Sequence, residues 1–185
     1  MKDVSPWVKR VNVHFNKTNK ETRILFISMS RGTKGLQPGK SGGEISGFRY
    51  VEEGPEADLT VEAWGGTLGE AFGNAAIAMF NAITPLEGVE QRVSRTLGVE
   101  GDDLGALLFN FLGELLYISD TELLVFSGFD VDVDEMGVTL LAECRGEPFE
   151  LGRHEQGTAI KAVTFYDMRI VKGEEGWKIR VVFDT

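Results

Sequence analysis

The chain is poor in the residues that nucleophilic and zinc chemistry require. It has one cysteine, Cys144, and two histidines, His14 and His154. A single cysteine excludes an internal disulfide, and so few thiols and imidazoles leave no Cys/His zinc set. A Ser-His-Asp or Cys-His arrangement has no basis when the folded body offers one histidine. No apolar run approaches the roughly 18 residues that span a bilayer. ILFIS, near the N-terminus, is too short, so neither a membrane helix nor a signal peptide is expected. Positive charge is scarce beyond the first quarter of the chain. Residues 1–46 carry nine Lys/Arg against three Asp/Glu, a net +6, while residues 47–185 carry ten against 26, a net -16. A body this acidic repels a phosphate backbone and suits cations or a basic protein partner.

What is present is enough for one domain with an appended leader. At 185 residues and 42% hydrophobic content, the chain can bury an ordinary core. RGTKGLQPGKSGGEISG reads as a linker, which sets a basic leader at 1–46 and a folded body at 47–185. GLQPGKS is not a phosphate loop, because Gly35 and Gly39 bracket three residues where that motif needs four. DVDVDE at 130–135 is not a calcium loop, since Glu135 and Leu141 stand where Gly and Glu are required. Its alternation reads as a strand with an acidic outer face.

From Phe48 the pattern is regular. FRYVEE and DLTVEAW read as strands, and Thr67 with Glu70 forms a capping box that opens a helix running to about Ile83. VEQRVSRTLGV is a third strand. Asp102 or Asp103 caps a second helix, whose leucines and Phe111 fall at i, i+3, i+4, i+7 and onward. LLVFSGFDVDVDE and VTLLAECRG form a hairpin turning near Glu135–Gly137, and IKAVTFYDMRIVK and WKIRVVFDT form another. The expected fold is α+β: two layers, a mainly antiparallel sheet with two principal helices packed on it.

One carboxylate is out of place in a purely structural reading. Asp58 opens the strand DLTVEAW, and Asp184 with the terminal Thr185 closes the strand WKIRVVF. Spacing alone leaves Asp58 balanced between surface charge and ligand. Asp184 beside a terminal carboxylate makes a cluster of hard oxygens suited to Ca²⁺ or Mg²⁺. Such charges repel unless a cation or Lys161 lies between them.

Four segments, in order across residues 48–185, resemble the archease family. ADLTVEAWGGTLGEAFGNAAIAMF resembles its opening motif, DDLGALLFNFLGELLY its second helix, HEQGTAIKAVTFYDMRI its lysine-containing strand, and VVFDT its terminal Val-Ile-x-Asp-Ile. The resemblance implies a non-catalytic accessory protein of the RtcB-type RNA ligase, promoting its guanylylation and multiple turnover in tRNA splicing. It implies a divalent cation, calcium first and Mg²⁺ or Mn²⁺ next, held by Asp58, Asp184 and Thr185. It matches Lys161 and Glu70 to family positions, and it admits a tRNA methyltransferase as a second partner; beside these, Glu56 is a candidate replacement oxygen ligand and His154, with Lys161, a candidate for recognition. No nucleic acid is expected on the acidic body, and no membrane. The implied setting is cytoplasmic, with a nuclear or organellar address left open by the leader. Four positions depart from the family pattern: Pro55-Glu56 replaces His-Thr before the aspartate, Ala159 replaces an acidic residue, and Tyr166 stands where His is frequent. The alternatives are a stand-alone metal-dependent phosphohydrolase and an RNA-binding or chaperone-like adaptor.

Overall fold

A computed structural model of the chain describes residues 47–51, 58–134 and 136–185. The basic leader, together with Glu52, Glu53, Pro55 and Glu56, lies outside the described residues. Chain order is β1 (Gly47–Val51), β2 (Asp58–Gly65), α1 (Leu68–Ile83), a short 3-10 turn (Leu86–Gly88), β3 (Val93–Glu100), α2 (Leu104–Glu122), β4 (Leu124–Val133), β5 (Thr139–Pro148), β6 (Ala162–Gly173) and β7 (Gly176–Asp184). The architecture is α+β, as expected. The strands divide into two antiparallel sheets rather than one: a four-stranded sheet ordered β1-β2-β7-β6 and a three-stranded sheet ordered β3-β5-β4.

Both helices begin where capping chemistry starts them. The Thr67 hydroxyl accepts from the Glu70 amide at 3.1 Å, and Glu70 reaches back to the Thr67 amide, so the capping box is complete. Asp103 is the second cap, accepting from the Ala106 amide at 2.8 Å. Thr84, ahead of Pro85, is extended and ends α1.

Helix α1 is buried far beyond one stripe. Ala71, Phe72, Ala75, Ala76, Ala78, Met79 and Phe80 are all inaccessible to solvent. The reason is its position: it packs on β2 of the larger sheet and on β4 of the smaller one. Small residues permit this double contact. A Cβ added at Gly69 would lie 2.0 Å from the Val131 carbonyl oxygen, and one at Gly73 would meet Phe129 at 3.6 Å. On its other side, β2 presents Val61 and Ala63 to the core. Helix α2 packs chiefly against β6 and buries Leu107, Leu108, Phe111, Leu112 and Leu115, the stripe its spacing predicts.

Gly69→Ala is therefore expected to destabilise the chain by about 1–3 kcal/mol, because the methyl forces α1 off β4. Urea unfolding followed by circular dichroism measures it. An unchanged midpoint would show that α1 does not depend on this close approach.

Candidate metal centre

Strand β2 begins at Asp58 and β7 ends at Asp184, and the antiparallel register makes them direct partners. Residues opposed in this way send their side chains to the same face, with Cβ atoms about 4.5–5.5 Å apart. The two carboxylates named from the sequence are thus adjacent, at the end of the two central strands of the sheet. Asp58 is half-buried and Asp184 exposed. One residue pair further in on this face, Thr60 opposes Val182; both are buried, and Thr164 of β6 continues the row.

The third strand completes the corner. Ala162 of β6 is also paired with Asp184, and the Lys161 amide donates to the Asp184 carbonyl at 2.8 Å. The Lys161 ammonium donates to the main-chain oxygen of Thr185 at 3.0 Å. Lys161 therefore does two things. Its backbone fixes the end of β7, and its ammonium holds the main-chain oxygen of Thr185.

The donor set suits a hard cation. Two carboxylates and a main-chain oxygen offer oxygens only, the preference of Ca²⁺ and Mg²⁺. Among the described residues no group of three or more His, Cys, Asp or Glu side chains is gathered for a metal, so water would fill the remaining coordination positions. Glu56, a further candidate ligand, lies outside the described residues.

Two other candidates have their polar atoms engaged in structure. The Glu70 carboxylate accepts from the Gly66 amide at 2.9 Å, just past the opposite end of β2 from Asp58. His154 is 6% exposed and belongs to a separate cluster. Its Nδ1 accepts from the Glu150 amide at 2.9 Å, so its Nε2 carries the hydrogen and faces Glu147 Oε1 at 3.3 Å. Glu147, wholly buried, is the hub. It accepts two 2.7 Å bonds from the Arg153 guanidinium and one of 2.6 Å from the Glu90 amide. This knot fastens the end of β5, the 150–156 loop and the segment leading into β3.

The sequence reading also passed over a charge ladder on the face that carries Asp58 and Asp184. Arg49, Glu62, Arg180 and Arg169 are successive partners across β1, β2, β7 and β6. Glu62 bonds Arg49 at 2.5 Å and Arg180 at 3.0 Å. Arg180 and Arg169 would face each other as like charges, but β6 bulges between Thr164 and Arg169 and inserts Asp167. Asp167 accepts from Arg169 at 2.5 Å and from Arg180 at 2.8 Å, at a left-handed φ of 48°. Those arginines, Arg169 first, hold its carboxyl below the ordinary range. DMR reads as plain strand alternation, and no sequence signal marks the bulge.

With this geometry in hand, known proteins give a consistent answer. The chain is a two-sheet α+β protein with a carboxylate pair at the end of its central strands. Residues 48–185 match the profile of the Archease protein family (MTH1598/TM1083), and the chain belongs to that family. It is 42% identical to the archease of Pyrococcus abyssi over 131 residues, which is 69% of this chain and 92% of that one. It is 38% identical over 145 residues to an archease-like protein of Drosophila melanogaster, covering 74% of this chain and 89% of that one. The solution structure of Methanobacterium thermoautotrophicum protein 1598 is similar at a TM-score of 0.67 and 38% identity. That match covers 75% of this chain and 99% of the other.

The Glu147 knot has a pH signature. Arg153, the dominant cause, depresses its carboxyl to about 2 from an ordinary 4.5, against the opposing effect of burial. A depressed folded value means that Glu147 stabilises the fold above about 4.5, and that this contribution fades as pH falls from there toward about 2. Glu147→Gln is expected to be less stable at neutral pH and to lose stability less steeply across that window, measured by denaturant unfolding at a series of pH values. Parallel acid profiles for the two proteins would assign the acid sensitivity elsewhere.

Proposed function

We propose that this chain is a non-catalytic accessory protein that activates an RtcB-type RNA ligase in tRNA splicing, using a divalent cation held at Asp58 and Asp184. The observation that carries the reading is the cross-strand pairing of these two aspartates. Like charges directly opposed on a sheet are destabilising. A pair kept in that register at the exposed end of two central strands is an arrangement with a use, and its oxygens suit Ca²⁺ first, then Mg²⁺ or Mn²⁺. Membership of the archease family supports the same reading.

The chemistry follows from charge. Guanylylation of the ligase is a phosphoryl transfer, whose transition state spreads negative charge over equatorial oxygens. A divalent cation supplies neutralising charge and orientation to such a centre. Asp58 and Asp184 hold that charge, while Lys161 anchors the end of β7 so that the two carboxylates stay in register. The chain's own thiol does not compete for a catalytic role, because burial pushes Cys144 up to about 12 and keeps it protonated.

The test has two arms. Asp58→Ala and Asp184→Asn each abolish stimulation of ligase guanylylation, while circular dichroism remains that of the folded chain. In calcium-free buffer Asp184→Asn is also expected to be equal to the parent or more stable by roughly 0.2–1 kcal/mol, since it relieves the repulsion. The parent alone gains stability with Ca²⁺, by about 2.7 kcal/mol at one hundred times the dissociation constant. Stimulation that survives in both variants removes this function.

A further inference from the structure

The β6 bulge does more than separate two arginines. Thr164 opposes Val182 and Arg169 opposes Arg180, so Phe165–Met168 occupy the space across from Val181 alone. The excess chain is thrown outward, against α2. Phe165 lies flat on Phe109 of that helix, with ring centroids 4.2 Å apart and planes 9° from parallel. Its outer face remains open: Phe165 is 58% exposed and Tyr166 64%. Two neighbouring aromatics so exposed are unusual for a surface with no partner.

Beside Phe165 is an open groove between β6 and the first turn of α2, lined by Asp103, Leu104, Gly105, Phe165, Met168 and Ile170. Its floor is apolar. Gly105 keeps it open, because an added Cβ would stand 3.2 Å from Asp103 Oδ1 and 3.9 Å from the Met168 sulfur. Its rim is acidic, with Asp102 and Asp103 both exposed. Phe165 is three residues along β6 from Ala162, the strand partner of Asp184. At the ordinary strand rise this is about 10 Å, so the groove is built on the strand that flanks β7.

We propose that this groove is a docking site for the ligase, and that it receives an apolar side chain flanked by Lys or Arg on the ligase surface. An exposed aromatic anchor over an apolar floor, surrounded by a charged rim, is the anatomy of an interface hot spot. The sign of the rim chooses the partner. A nucleobase would stack on Phe165 as readily as a side chain, but its phosphates would meet Asp102, Asp103 and a body of net -16. Basic residues meet the same rim favourably, and faster at low salt. The inference rests on the function proposed above and adds where the ligase is gripped, separately from where the cation is held.

Titrating the full chain into a purified RtcB-type ligase, with calcium and with a chelator, tests this. Phe165→Ala/Tyr166→Ala is expected to raise the dissociation constant at least about 10-fold in both buffers, as loss of a hot spot does. Calcium binding to the isolated variant, read by calorimetry, stays at the parent value, which also reports that the corner is folded. Asp102→Asn/Asp103→Asn keeps a competent helix cap; it is expected to weaken binding less and to flatten its salt dependence. Stimulation by the aromatic variant returns at high concentration, unlike that of the Asp58 variant. Parent-like affinity in the aromatic variant overturns the groove and leaves the cation function standing. No binding of the parent to the ligase removes the proposed function and this occupant together. Should the aromatic variant lose self-association or RNA binding instead, the groove belongs to a second copy or to RNA and the proposal fails.

Discussion

The pairing of β2 with β7 is the constraint on which the molecule depends. These strands form the centre of the larger sheet, and their register decides everything placed on it. On one face it stacks Val61, Ala63, Ile179, Val181 and Phe183 into the core beneath α1. On the other it opposes Asp58 to Asp184, Thr60 to Val182 and Glu62 to Arg180. A slip of one residue would send the apolar set to the surface and separate the aspartates at once. Core stability and the acidic corner are therefore enforced by the same hydrogen-bond ladder. A carboxylate pair that repels itself survives because the buried residues behind it allow no other register.

Local features were legible in the sequence, and partnerships were not. Thr67 with Glu70 and Asp103 start the two helices where the side chains said they would, because a cap is decided within four residues. The hairpins β4–β5 and β6–β7 announced themselves through alternation around Gly137 and the Glu174–Glu175 turn. Alternation reports which face is wet and says nothing of which strand lies alongside. The division into two sheets was accordingly invisible, as was the burial of α1 on both sides. Its run of alanines and glycines was the available hint, since small residues accumulate where a helix must approach two surfaces closely.

The candidate corner was singled out only through family resemblance. Spacing left Asp58 undecided, and nothing in the chain's order says that residues 58 and 184 are neighbours. Glu147 shows the same limit. It falls out of phase with the buried alternation of Leu140, Ala142 and Cys144, and its partners are a guanidinium from the next loop and an amide from Glu90. Asp167 shows it again, because a left-handed residue inside an apparent strand is explained by two arginines that meet it only in three dimensions. The principle is common to all three: carboxylates whose roles depend on distant segments look ordinary in one dimension.

The position of β7 in the larger sheet also sets an order in time. Before that strand is made, among the described residues β2 has β1 as its only strand partner and β6 has none. Non-local strand pairing is slow because chain entropy is lost before the contacts return it. During synthesis, the larger sheet closes only when the ribosome has released the segment ending in Asp184. Lys161 can find its anchor, and Asp58 its counterpart, at that moment and not earlier. A chain stalled upstream carries half of the acidic corner and an unfinished sheet. The acidic corner thus forms only together with the larger sheet itself.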